Sequence, residues 1–132
     1  MNKKKLKYRV TYLEMDSKPN FDWPKNLKHK LTILLAENFP AWYFLFFYKQ
    51  VGKNYYWTDW LRKNDDEINE FVDDKNVLLY TLIKDGWPVG YYMLDYRKKD
   101  ICDLSFFGLV DEVIGIGLGK YLLQTAILTA WD

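Results

Sequence analysis

Hydrophobic and polar positions recur along this chain with two periods, and the switches between them mark out strands and helices. Leu6, Tyr8, Val10, Tyr12 and Leu13 alternate nearly regularly through Met15 and predict a strand. Ser17 to Pro24 holds two prolines with Asn20 and Asp22, so it breaks that strand as a loop. Lys28 to Leu35 fits a strand or a short helix, and Leu31, Ile33 and Leu35 on one side favour the strand. After Pro40, the positions Trp42, Leu45, Phe46, Lys49 and Val51 follow helical spacing as far as Gly52, a natural terminator. Asn64 followed by Asp65, Asp66 and Glu67 reads as the cap and first turn of a short helix that ends before Asp73 and exposes a charged face.

From Val77 onward the period is two. Val77 to Ile83 and Trp87 to Tyr96 predict two strands joined by Lys84-Asp85-Gly86, a tight-turn signal. Arg97 to Asp100 makes another polar turn into a strand from Ile101 to Val110. Asp111 to Lys120 then carries three glycines at every second position, and Tyr121 to Ala130 resumes a helical apolar pattern. Three consecutive antiparallel strands followed by a helix predict an α+β domain, with residues 1–132 read as one unit.

Composition narrows the function classes without naming one. The 132 residues are 49% apolar and 28% charged, and 19 basic against 18 acidic side chains leave a net charge of +1. Nothing there pulls the chain toward nucleic acid or an anionic membrane, so neither is an expected partner. The aromatic share of 19% is high enough to predict a ring-rich core or cleft. The densest apolar run, Phe39 to Tyr48, is half the roughly 20 residues of a membrane span, and the N-terminus lacks the apolar stretch of a signal peptide, so the cytoplasm is the expected address. Cys102, the only cysteine, excludes an internal disulfide and is read as a small buried hydrophobe within a strand. His29, the only histidine, lies between lysines and is read as a solvated side chain.

Candidate chemistry concentrates at the glycines. A loop of this kind opening a helix is an anion site, because unpaired amides and the positive end of the helix dipole converge there. Gly115, Gly117 and Gly119 let backbone approach a ligand closely, and Lys120 adds a positive charge in the first helical turn. A dinucleotide fold would need Gly-x-Gly-x-x-Gly at the start of a βαβ unit. Here the spacing is Gly-x-Gly-x-Gly after a meander, and that reading fails. Lys53 to Trp60 packs four rings with an amide and a carboxylate, and either lines a cleft or caps the core.

These residues resemble the GNAT superfamily of acetyl-CoA-dependent N-acetyltransferases. That family carries Arg/Gln-x-x-Gly-x-Gly/Ala between its fourth strand and third helix, where this chain has Ile114-Gly-Ile-Gly-Leu-Gly119. Thr11 to Met15, Val51-Gly52 with the Trp-rich segment after it, Asp85-Gly86 with Val89-Gly90-Tyr91, Phe107-Gly-Leu109 and Ala130-Trp131 look like further landmarks of one bacterial subgroup. The resemblance implies that the backbone of Gly108 and Leu109 pairs with the pantetheine arm, and that the amides of Ile114, Gly115, Ile116, Gly117, Leu118 and Gly119 hold the pyrophosphate with Lys120 nearby. It implies direct attack of a primary amine on the thioester, with Asp103 as the base and no metal. Tyr56, Trp57 and Asp59 fall where the family shapes its acceptor site, for a small amine or a protein amine.

The sequence also departs from the family's pattern. Ile114 and Ile116 replace polar or basic residues, and Asp111 stands where a proline is frequent. The family continues past its third helix with a fifth strand, a fourth helix and two last strands, whereas this chain stops at Asp132. The expectation is the N-terminal portion of the fold, truncated after the third helix. The enzyme would then be completed by a second copy, by another chain or by a missing C-terminal segment, or the module would be inactive, bind coenzyme A weakly or not at all, and associate through its exposed sheet edge.

Overall fold

The computed structural model describes residues 7, 9–25 and 28–132. Along them run strand β1 (Leu31–Ala36), helix α1 (Ala41–Gly52), a 3-10 turn at Asp59–Arg62, helix α2 (Asp65–Asp73), and strands β2 (Val77–Lys84), β3 (Trp87–Asp95) and β4 (Asp103–Leu109). A second 3-10 turn, Asp111–Val113, leads to helix α3 (Leu118–Trp131). The strands pair antiparallel in chain order, β1-β2-β3-β4. The predicted α+β class and the antiparallel meander are what the structure has.

Local chemistry accounts for the boundaries. Asp85 and Gly86 both hold positive φ, 53° and 90°, which a two-residue type I′ turn requires at its central pair. Asn64 caps α2 by accepting from the Glu67 amide at 2.9 Å, and three acids occupy the helix's first turn.

The sheet is covered on both faces. On one, Phe44, Phe47, Tyr48 and Val51 of α1 and Ile68, Phe71 and Val72 of α2 pack against Val77, Leu79, Tyr91 and Met93. On the other, Leu118, Leu122 and Ala126 of α3 pack against Leu82, Val89, Tyr92 and Leu94. Hydroxyls pin the helices to the strands. Tyr43 meets Thr81 Oγ1 at 2.7 Å, Tyr92 meets Thr129 Oγ1 at 2.9 Å, and Tyr96 donates to the Ala130 carbonyl at 3.3 Å.

Four expectations need correction. Residues 9–15 form no strand, and Tyr12 and Leu13 are each 91% exposed; Leu6 and Tyr8 of that predicted strand lie outside the described residues. In α1 the buried face is Phe44, Phe47, Tyr48 and Val51, while Trp42 and Phe46 point outward. A helix that is apolar nearly all round carries no phase in its hydrophobicity, so spacing alone could not select the face. Cys102 lies just ahead of β4 rather than inside a strand, half-buried, and burial pushes its thiol up. His29 is likewise half-buried.

β4 carries one extra residue. Met93 pairs with Phe106 and Leu94 with Leu104, so Ser105 is bulged out of the ladder. Leu104 and Phe107 therefore share the α3 face although they are three apart, and Phe106 turns toward α1. At the next position on the α1 face stands Gly108, where a Cβ would overlap Val51 Cγ1.

Gly108→Ala is expected to cost about 1–3 kcal/mol through overpacking, read as a lower urea midpoint. Adding Val51→Ala should recover part of that loss, and strictly additive losses would refute the contact. A second expectation concerns alkali. Burial, partly offset by the Thr129 hydrogen bond, pushes Tyr92 up to about 12, against about 10 for an unfolded tyrosine. The folded state keeps the proton longer, so stability should be full below about pH 10 and fall as pH rises through about 12. Tyr92→Phe should flatten that fall when urea midpoints are followed against pH, and an unchanged slope would exclude Tyr92 as its source.

Candidate functional site

β4 hands the chain to the glycine loop through a fixed turn. The Val110 amide donates back to the Val89 carbonyl at 2.8 Å, and the amides of Val113 and Ile114 then close on the carbonyls of Val110 and Asp111, each at 3.2 Å. The backbone next passes through Gly115 and Gly117 at φ 90° and 88°, in the left-handed region that an L side chain resists. Gly117 is the residue from which α3 starts.

The Ile114 amide is thus engaged. Those of Gly115, Ile116 and Gly117 meet no backbone acceptor among the described residues, and the first-turn amides of α3 are without a helical partner. A Cβ at Gly115 or Gly117 would meet nothing within 4 Å. The loop is an open arc of donors at the positive end of a 14-residue helix. Ile114 and Ile116 expose their side chains beside it, Leu118 is fully buried and offers only its backbone, and Lys120 is exposed with no ion pair among the described residues.

Asp103 lies at the other end of β4, about 20 Å from Leu109 at some 3.3 Å per residue. It is exposed and accepts a hydrogen bond from Ser105 Oγ at 3.2 Å. The bulge at Ser105 sets its face, placing Asp103 opposite Asp95 on the side of α1 and α2. Asp95 is itself occupied by Arg97, whose Nε and Nη2 reach it at 3.0 and 2.8 Å, and that guanidinium holds the Asp95 carboxyl below the usual range.

The aromatic segment after α1 both caps the core and leaves rings in solvent. Trp60 packs on Phe71 and Phe44 with centroids 4.5 and 5.3 Å apart, and Trp57 lies half-buried against Tyr48 at 5.7 Å and Phe106 of β4 at 6.4 Å. Tyr56 is 73% exposed and holds a φ of 59°, and Asp59 is exposed at the start of the first 3-10 turn. The structure brings this segment against β4, but among the described residues no hydrogen bond or ion pair joins Tyr56, Trp57 or Asp59 to Asp103. Sequence reasoning missed a contact between the two loops. Asn54 Nδ2 donates to both carboxylate oxygens of Asp111 at 2.9 and 2.8 Å, and Lys53 Nζ stands 3.5 Å from Oδ2. No local signal links residues that far apart in the chain.

A shallow depression of about 460 Å³ between Lys30, Thr32, Ile83 and Asp85 lies on the β1 edge, at the far side of the sheet from β4. Among the described residues no cluster of His, Cys, Asp or Glu could hold a metal ion, and no helix is long and apolar enough to cross a membrane.

Neither a protein-family model nor a curated protein matches the chain. Solved structures do. The fold is similar to a GNAT family acetyltransferase from Elizabethkingia anophelis with acetyl-CoA bound, at a TM-score of 0.55 and 17% identity over 76% of this chain and 57% of that one. It is similar to an IAA acetyltransferase from Bacillus cereus, at a TM-score of 0.54 and 19% identity over 77% of this chain and 59% of that one. An aminoglycoside acetyltransferase from an uncultured soil metagenomic sample, in complex with trehalose, aligns with a TM-score of 0.59 and 11% identity, covering 76% and 70%. The chain spans less than two thirds of the first two.

The geometry separates the glycines by role. Gly117→Ala should destabilise by about 1–2 kcal/mol through its backbone conformation alone. Gly119 lies inside α3 with Leu109 Cδ1 4.0 Å from an added Cβ, so Gly119→Ala should be neutral or raise the melting temperature slightly. Thermal unfolding of the two variants checks this, and equal losses would contradict the helical placement of Gly119.

Proposed function

From the GNAT-like fold of this chain, we propose that it is an acetyl-CoA-dependent N-acetyltransferase that acts on a primary amine. One observation carries the reading: an arc of unpaired amides at the start of α3 directly follows a strand with no partner on its outer side among the described residues. Such an arc suits a pyrophosphate, and such an edge suits an extended amide-bearing arm. Backbone amides would carry most of that fit, since Ile114 and Ile116 offer no polar side chain.

In this reading the amides of Gly115 to Gly119, with Lys120, bind the phosphates. The Ile114 amide is committed to Asp111 and serves the turn instead. The edge of β4 at Gly108 and Leu109 pairs with the pantetheine arm. The thioester then comes to rest toward the Asp103 end of the strand. Asp103 takes the proton from the attacking amine as its nitrogen bonds to the carbonyl carbon; the C–S bond breaks and the thiolate leaves. Tyr56, Trp57 and Asp59 border the acceptor's approach, with the exposed Tyr56 ring and the half-buried Trp57 for an apolar or cationic body and a carboxylate for its charge.

A second reading is a module that binds coenzyme A weakly or not at all and associates through the β4 edge with another copy or another chain. The apolar Ile114 and Ile116 beside the loop favour it, since the usual polar contacts to phosphate are missing there.

Calorimetry with acetyl-CoA and desulfo-CoA, followed by thiol release over a panel of small amines and a lysine peptide, tests the proposal. Expected are binding by both ligands, loss of binding in Gly119→Ala without loss of stability, and a fall of about 10²–10⁴-fold in rate for Asp103→Asn. An unchanged rate in Asp103→Asn would remove Asp103 as the base. Absence of binding at millimolar ligand would sink the acetyltransferase reading for this polypeptide, and binding without thiol release would leave the second.

A further inference from the structure

The loop after α1 and the loop after β4 are held together by side chains, and both ends of that strap are fixed by backbone. On the α1 side the amides of Tyr55 and Trp57 both donate to the Gly52 carbonyl, at 2.9 and 3.2 Å, and a Cβ at Gly52 would run into the Trp57 ring. On the β4 side, Asp111 receives Asn54 and Lys53 on its carboxylate while its carbonyl accepts the Ile114 amide that closes the turn into Gly115. The residue that is gripped is therefore the residue that shapes the entry to the amide arc.

An exposed contact of this kind contributes little to stability. Its two-pronged form and its position between two loops suit it to fixing geometry. It also carries a cost, because a carboxylate beside a loop of donors repels the anion those donors would take. Asn54 engages both oxygens and Lys53 lies against one of them, which offsets that repulsion. Trp57, three residues beyond Asn54, rests on Phe106, so the same aromatic loop touches β4 at a ring contact and again just past its end.

We infer that Asp111, held by Asn54 and Lys53, is a positioning residue that couples occupancy of the glycine loop to the placement of the aromatic segment Tyr55–Trp57. An anionic ligand that pulls on the arc shifts Asp111, and the strap passes the shift to the loop that borders the acceptor's approach. The coupling rests on the coenzyme A reading above.

The test uses the full chain labelled with fluorotryptophan, with the Trp57 fluorine resonance assigned through Trp57→Phe. Titration with coenzyme A should give heat and a shift of the Trp57 resonance in the parent protein. Asn54→Ala leaves the charge of the glycine loop unchanged. It should weaken binding by about three- to tenfold and abolish the Trp57 shift at saturating ligand. Asp111→Ala removes a negative charge beside an anion, so charge alone would tighten binding; loss of the Trp57 response there too separates coupling from electrostatics. Both side chains are at the surface, and circular dichroism checks that the variants fold. A Trp57 shift that persists in both variants overturns the coupling while the binding reading stands. No heat in the parent at millimolar coenzyme A overturns both.

Discussion

The structure depends on the double burial of β3. Six consecutive residues, Val89 to Leu94, are shut off from solvent on both faces of the sheet, with Tyr91 and Met93 turned toward α1 and α2 and Tyr92 and Leu94 toward α3. A strand buried on both sides needs neighbours on both edges, which β2 and β4 supply, and helices above and below. Tyr91 shows what this demands. Its ring stacks on Phe47 at 5.0 Å while its hydroxyl is buried without a hydrogen-bond partner among the described residues, and burial keeps it protonated far above the ordinary tyrosine range. Tyr92, on the opposite face, finds Thr129. Helix α3 is thereby seated on the sheet by an apolar face and by hydroxyls near its C-terminal end, leaving its N-terminal amides to face the end of β4.

That seating turns a sequence motif into a candidate site. Three alternating glycines are only permissive. They become an arc of donors because Gly115 and Gly117 take left-handed backbone, because Gly119 is already in the helix, and because α3 points its positive end at the strand that precedes it. The strand in turn can approach α1 closely only because Gly108 has no side chain to meet Val51.

Much of this was legible in the sequence where the signal is local. The Asp85-Gly86 hairpin, the Asn64 cap, the strand–glycine loop–helix order and the meander each follow from a few adjacent residues, and each is found. The failures are of two physical kinds. Residues 9–15 alternate like a strand but take no partner among the described residues, since alternation states a preference and pairing needs an edge to receive it. α1 shows the opposite case, where the helix is right but a nearly uniform apolar surface hides which side faces the sheet. At the candidate site, Gly115 to Lys120 could be named from spacing. The strap from Asn54 and Lys53 to Asp111, the Gly108–Val51 contact and the bulge at Ser105 depend on tertiary placement, for which neighbouring residues hold no trace.

The bulge at Ser105 has a consequence for how the two halves of β4 can vary. With unbroken alternation Asp103 would face α3, on the opposite side from Trp57 and Trp60. One supernumerary residue inverts the phase of everything before it and leaves everything after it in place. The segment ahead of Ser105 and the segment from Phe106 to the glycine loop thus behave as two words separated by a spacer, each free to be rewritten without changing the meaning of the other. Loss of the spacer would move Asp103 to the α3 side of the sheet with its own identity unchanged, a lesion invisible to any inventory of residues.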